Sequence, residues 1–139
     1  MPDLEDVRKI VGEGNPVCNQ VLYHLGERAI EHAVIPWCEK HGVAVVGYSP
    51  FGHGHFPGPR TTGGRVLQQI AAAHNVTARQ VALRFLVRRP SLFTIPKASS
   101  PEHAAENAGA AEFYLADDEV SRIDAAFPLG PPSARLPML

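Results

Sequence analysis

Cysteine is nearly absent from this 139-residue sequence. Cys18 and Cys38 are the only two, and they fit neither a metal-binding spacing nor a disulfide framework. A reduced, cytoplasmic setting is the simplest expectation from that usage. Net charge is missing as well: it is −1, and Arg88-Arg89 is the only pair of adjacent arginines. There is therefore no electrostatic ground for nucleic acid or an anionic membrane as partner. No apolar run approaches the ~20 residues of a membrane span, and nothing before Asp3 has the pattern of a secretory signal. The sequon Asn75-Val76-Thr77 consequently carries no weight. Carboxylate and cysteine are also lacking around His53-Gly54-His55. Even with His41 or His24 as a third ligand, this is expected to be loop rather than a metal site.

What is present is the composition of a globular domain, with 45% hydrophobic and 19% charged residues. Residues 3–13 read as an amphipathic helix, capped by Asp3, with Leu4, Val7, Ile10 and Val11 on one face and Gly12 and Gly14 ending it. Residues 17–23 read as a strand apolar on both faces, which suits a parallel sheet covered on two sides. A helix follows and ends near residues 37–41, with Gly42 as its stop and Pro36 starting its regular part. Val43 to Tyr48 is the clearest strand, a β-branched apolar run bounded by Gly42 and Ser49-Pro50.

Residues 49–64 break the rhythm with five glycines and three prolines, and a loop this long in a compact domain is usually functional or mobile. Helical periodicity returns at Val66, Leu67, Ile70, Ala71 and His74. Thr77 to Gln80 spells a capping box that opens a helix with Val81, Ala82, Phe85 and Leu86 inward. Arg88 and Arg89 suit its negative end, and Pro90 stops it. Asp117 is expected to cap a last helix carrying Val120, Ile123 and Phe127. Residues 128–139 form a proline-rich tail with no regular structure expected.

The chain is organised around residues 92–107. Leu92 to Ile95 read as a short buried strand, and a helix begins at Pro101 with Ser100 as its cap. The first helical turn is expected to present unpaired N–H groups and a partial positive charge, and Lys97 adds a full one. Strand end, cation and helix N-terminus together suit a phosphate. On geometry alone the same pattern equally describes an ordinary strand-to-helix junction with a solvated lysine. Strands alternating with helices mean a parallel sheet with right-handed crossovers. Three strands cannot close a barrel.

Ile95-Pro96-Lys97, Ser100-Pro101-Glu102-His103 and Glu106-Asn107 resemble the IPK-x-x-x-PE-x-x-x-EN signature of aldo-keto reductases. Asn19-Gln20-Val21 with Tyr23-His24 resembles that family's NQ-x-x-x-H strand. Gly47-Tyr48-Ser49-Pro50-Phe51-Gly52 resembles its YSPLG strand end. The three signatures occur in the family's order. The resemblance covers essentially the whole chain and implies an α/β fold. It would be a partial (β/α)8 TIM barrel of about three C-terminal βα units (strands six to eight) with flanking helices, over residues 1–127. A full barrel needs ~250 residues.

The resemblance also implies NADPH as cofactor, with NADH as the lesser alternative. Gln20 would hydrogen-bond the nicotinamide carboxamide, and Tyr48 would stack on the ring. Ser49, Phe51 and Gly52 would line the pyrophosphate, with the glycine-rich loop as a belt over it. Lys97 would pair with the adenosine phosphate, and Glu106 and Asn107 would contact adenine. Ala98 stands where the family often has a hydroxyl residue for the 2′-phosphate, and His103 where it usually has an arginine, which weakens the preference for NADPH.

The family's tyrosine acid and its lysine, histidine and aspartate partners belong to strands that this chain does not contain, as does the serine-asparagine pair that shares the carboxamide. No catalytic residue is therefore assigned. Tyr23, Tyr48 and Tyr114 are expected to lack a neighbouring cation, since Lys9 and Lys40 lie on helices away from the strand ends, and a tyrosine near pKa ~10 is a poor acid at neutral pH. A carbonyl substrate would be met only in a complete barrel. Exposed sheet edges would favour self-association or aggregation, and a complementing N-terminal half is a further candidate partner. The rival reading is a non-catalytic nucleotide-binding module. Only Arg135, Leu136 and Met138 of the tail would be available to shape a substrate wall.

Overall fold

The computed structural model describes residues 2–12 and 14–132. Three strands, β1 (Cys18–Leu22), β2 (Ala44–Tyr48) and β3 (Leu92–Ile95), lie parallel and side by side in chain order. Helix α1 (Pro2–Val11) precedes them, and α2 (Ile30–Lys40) crosses from β1 to β2. Helices α3 (Thr62–His74) and α4 (Ala78–Leu86) lie between β2 and β3, while α5 (Pro101–Ala108) and α6 (Asp117–Ala126) follow. The register pairs Gln20 with Val46 and Leu22 with Tyr48, then Val46 with Phe93 and Tyr48 with Ile95.

One face of the sheet carries the core. Tyr23, Val45 and Leu92 are buried there in one cluster with Ile35, Cys38, Leu67, Phe85, Leu86 and Ile123. The opposite face is uncovered: Phe93 is 56% exposed and Ile95 50%. This corrects two expectations. The run 17–23 is not covered on two sides, because Val17 and Cys18 are exposed, and Leu92 to Ile95 alternates rather than being buried throughout. A period of two puts every second residue on the open side, whatever its hydrophobicity.

The α4 capping box forms as expected. The Thr77 N–H donates to Gln80 Oε1 at 2.9 Å, the Gln80 N–H to Thr77 Oγ1 at 3.2 Å, and Val81, Ala82, Phe85 and Leu86 are all fully buried. Elsewhere the helix boundaries move. Asp3 lies inside α1, which ends at Val11, and Val7, Ile10 and Val11 are exposed rather than packed. Pro36 sits within α2, not at its start: the helix loses one N–H but keeps Ile35, Trp37 and Cys38 buried. Helix α3 begins at Thr62, because the Thr61 hydroxyl caps it by accepting from the Gly64 N–H at 3.0 Å, so the irregular stretch ends three residues early. Asp117 is the first residue of α6 rather than its cap, and the preceding Ala116 N–H donates instead to Glu119 Oε2 at 2.9 Å. Residues 128–132 carry no helix or strand, while 133–139, including Arg135, Leu136 and Met138, lie outside the described residues.

A buried polar knot ties the layers together. Glu31 on α2 accepts from the Tyr23 hydroxyl at 2.7 Å, from Arg28 Nε and Nη2 at 2.7 and 2.9 Å, and from Arg88 Nη2 at 2.9 Å. Arg28 also donates to the Phe127 carbonyl at 2.8 Å and pairs with Asp124, which fastens the end of α6.

Candidate functional site

Ligands of open parallel α/β sheets gather outside the C-terminal strand ends. Here those ends are Leu22, Tyr48 and Ile95, followed by the turn at 49–52 and the segment 96–100. Gln20 and Tyr48 project from the same uncovered face as diagonal neighbours, since Gln20 pairs with Val46 and Tyr48 lies two residues further along. Neither is buried. Gly47 between them faces the other way, where a Cβ would come within 3.1 Å of Tyr23 Cβ.

After Tyr48 the chain turns sharply. Ser49 has φ 53° and Gly52 φ 70°, and the Gly52 N–H donates to the Ser49 carbonyl at 2.9 Å. A left-handed serine costs energy, so this turn is held by its surroundings. His24 packs against this turn: a Cβ on Gly52 would sit 3.5 Å from its Nδ1. Its Nδ1 accepts from the Gly26 N–H at 3.1 Å, and burial holds its imidazole below the usual value, so the ring is neutral against the turn. Phe51 meets Phe56 edge-on at 5.8 Å, and the Arg79 guanidinium lies 5.4 and 5.6 Å from the two ring centroids. Beside them His24, Gly52, His55 and Phe127 help line a cavity of about 250 Å³. A larger hollow of about 360 Å³ opens at the opposite strand ends, between Arg8, Trp37, Lys40 and His41, far from the turn.

The third side of the site comes from the end of β3. Lys97 and Ala98 are exposed, and Lys97 pairs with no carboxylate among the described residues. The α5 N-terminus is capped as expected, with Ser100 as cap and Pro101 in its first turn. The His103 N–H donates to Ser100 Oγ at 3.3 Å, and the exposed Glu102 carboxyl has hydrogen bonds with its own N–H and the Ser100 hydroxyl. Those two hydrogen bonds hold the Glu102 carboxyl below the usual range. His103 Nδ1 lies 3.3 Å from Ser99 Oγ. Glu106 accepts the Thr77 hydroxyl proton at 2.8 Å, and its carbonyl accepts from Gln80 Nε2 at 2.9 Å. Asn107 lines a separate hollow of about 270 Å³ between α4, β3 and α5.

Thus Gln20, Tyr48, Ser49, Phe51 and Gly52 come together around one strand end. Lys97, Ala98, His103 and Glu106 form a second group, with Asn107 turned toward a neighbouring hollow. The link between the groups was not readable in the sequence: Thr77 looks like a cap and nothing more, and Arg79 has no motif. The tyrosine expectation needs correction too. Tyr114 has the Arg84 guanidinium 4.3 Å from its ring centroid, and Tyr23 also has a cation beside it, since Arg88 Nη1 donates to its oxygen at 3.0 Å. Burial, aided by Glu31, nevertheless pushes that phenol far above its ordinary value, so it is no acid at neutral pH. Among the described residues no cluster of three His, Cys, Asp or Glu could hold a metal ion, and no helix is long and apolar enough to cross a membrane.

The family model for the aldo/keto reductase family matches residues 2–127. This chain belongs to the aldo/keto reductase family. Among curated relatives, methylglyoxal reductase YeaE of Escherichia coli (strain K12) is 34% identical over 126 residues, covering 91% of this chain but 44% of the relative. Pyridoxine 4-dehydrogenase of the same organism is 35% identical over 109 residues, covering 78% of this chain and 36% of that protein. Among solved structures, an aldo-keto reductase from Klebsiella pneumoniae in complex with NADPH superposes with a TM-score of 0.79 at 34% identity, over 88% of this chain and 43% of its own. The parallel three-stranded α/β unit is therefore an aldo/keto reductase fold, and the chain spans less than half the length of the curated relatives it matches.

Proposed function

We propose that this chain is the C-terminal, cofactor-binding part of an NAD(P)H-dependent aldo-keto reductase, a partial barrel of strands six to eight over residues 1–127 followed by the tail 128–139. The carrying observation is that Gln20 and Tyr48 share the uncovered sheet face at the C-terminal strand ends, beside the strained Ser49–Gly52 turn. When bound, the dinucleotide supplies the hydride that turns an aldehyde or ketone into an alcohol. Gln20 would orient the carboxamide, since an amide offers both a donor and an acceptor to another amide. Tyr48 would hold the ring flat against the sheet. Gly52 lets the backbone approach the pyrophosphate. The exposed Lys97 would meet the 2′-phosphate, with Ala98 and His103 alongside adding little attraction, and Glu106 and Asn107 would bound the adenine.

The chain alone holds no tyrosine suited to proton donation. It would bind the dinucleotide without turnover unless a complementing half restores the barrel. Two unbridged cysteines suit a reduced, cytoplasmic setting. The second reading, a non-catalytic nucleotide-binding or self-associating module, draws on the bare Phe93 and Ile95 and on β1 and β3, each of which among the described residues pairs on one side only, with β2.

Titration of the chain with NADPH and NADH, followed by fluorescence or calorimetry, tests the proposal. NADPH is expected to bind more tightly, and Lys97→Ala to weaken it roughly tenfold while changing NADH little, as loss of one charge-assisted contact implies. A folded chain that binds neither dinucleotide would refute it.

A further inference from the structure

Arg79 is a strongly basic side chain on the belt side of the site, and nothing in the family signatures accounts for it. It leaves the first turn of α4 between two residues already committed to α5. Thr77 bonds the Glu106 carboxylate, and Gln80 bonds the Glu106 carbonyl. Its guanidinium reaches the other way, over Phe51 and Phe56. The start of α4 therefore links the turn expected to carry the pyrophosphate, through Arg79, with the acid expected to bound the adenine, through Thr77 and Gln80. The side chain is exposed, and among the described residues it forms no ion pair with a carboxylate. A planar cation resting on aromatic faces, with its outer side in solvent, is suited to a second flat partner: guanidinium stacks on aromatic planes, and nucleobases accept such stacking.

We propose that Arg79 is a specificity-determining residue that stacks its guanidinium on the adenine of the dinucleotide, clamping the base between the Phe51 turn and Glu106. The assignment rests on the dinucleotide reading above and adds a residue to it. Because the contact is with the base, it is blind to the 2′-phosphate. Arg79→Ala should weaken NADPH, NADH and 5′-AMP by a similar factor, roughly 5- to 10-fold, leaving the NADPH/NADH ratio unchanged. Lys97→Ala, in contrast, lowers that ratio.

Binding constants for NADPH, NADH and 5′-AMP, measured by calorimetry on the wild-type chain, Arg79→Ala, Arg79→Lys and Arg79→Tyr, decide the matter. Thermal melts are run alongside to show that each variant is folded. A stacking role predicts that tyrosine, which restores a plane without charge, recovers most of the affinity and that lysine recovers little. Wild-type affinity in Arg79→Ala would overturn the assignment and leave the dinucleotide reading standing, as would full rescue by lysine, which would make Arg79 only a charge. A folded wild-type chain that binds none of the three nucleotides would overturn both.

Discussion

Glu31 gives the sharpest test of how the fold is held. Its side chain is only 11% exposed and receives four hydrogen bonds at 2.7–2.9 Å from two guanidiniums and a phenol. Replacing it with alanine leaves Arg28 and Arg88 facing each other across a cavity. Breaking a buried ionic cluster from one side costs ~3–5 kcal/mol. Arg28 keeps Asp124 and the Phe127 carbonyl, and Arg88 keeps the Phe85 carbonyl, so the lower end applies, about 3 kcal/mol. Against a typical total of ~5–15 kcal/mol this is a large share. With a urea slope of ~2 kcal/mol/M, the unfolding midpoint should fall by ~1.5 M. Glu31→Gln keeps one acceptor and should lose less.

The effect also has a pH signature. Burial alone would raise the Glu31 carboxyl, but hydrogen bonds from Arg28 and Tyr23 and the charges of Arg88 and Arg28 outweigh it, and the group titrates below the usual carboxylate range. Its stabilisation is therefore complete above the unfolded-chain value of ~4.3 and lost as pH falls through the lower folded value. The gap between wild type and Glu31→Gln should narrow only below ~pH 4. A midpoint shift under ~0.3 M for Glu31→Ala at pH 7 would refute the assignment of this knot as a main tie between layers.

Two further substitutions test local packing. Gly64→Ala should destabilise despite the better helix propensity of alanine, because the new Cβ would collide with the Gly58 carbonyl oxygen and also sit 3.0 Å from Thr61 Oγ1. A net loss of about 2 kcal/mol is expected, visible as a lower melting temperature, and an unchanged or higher one would contradict the packing described. Thr77→Ala removes a helix cap and the bond to Glu106 together, for ~1–2 kcal/mol. Thr77→Ser keeps both bonds and should stay within ~0.5 kcal/mol of wild type in urea unfolding.

Much of the architecture was legible because local chemistry and the fold agree. Thr77 with Gln80 spells a helix start in four residues, Val43 to Tyr48 has no other stable use than a strand, and the three family signatures stand within short segments. The element order and the parallel sheet follow from such local signals. The errors arose where a competing local group won. The Thr61 hydroxyl started α3 early, Glu119 took over the N-terminus of α6, and burial on either side carried α2 through Pro36. What the sequence could not reveal is long-range. The Glu31 knot joins residues 23, 28, 31, 88 and 124, and no periodicity links them. The bareness of Phe93 and Ile95 depends on what lies opposite the sheet, not on their hydrophobicity. Arg79 meets Phe51 from 28 positions away only because α4 packs beside the belt. Residue types and spacing determined which elements form and which family they belong to. The tertiary structure alone decided which face is covered, which charges are paired and which cation reaches the site, because those depend on distances in space that chain order does not fix.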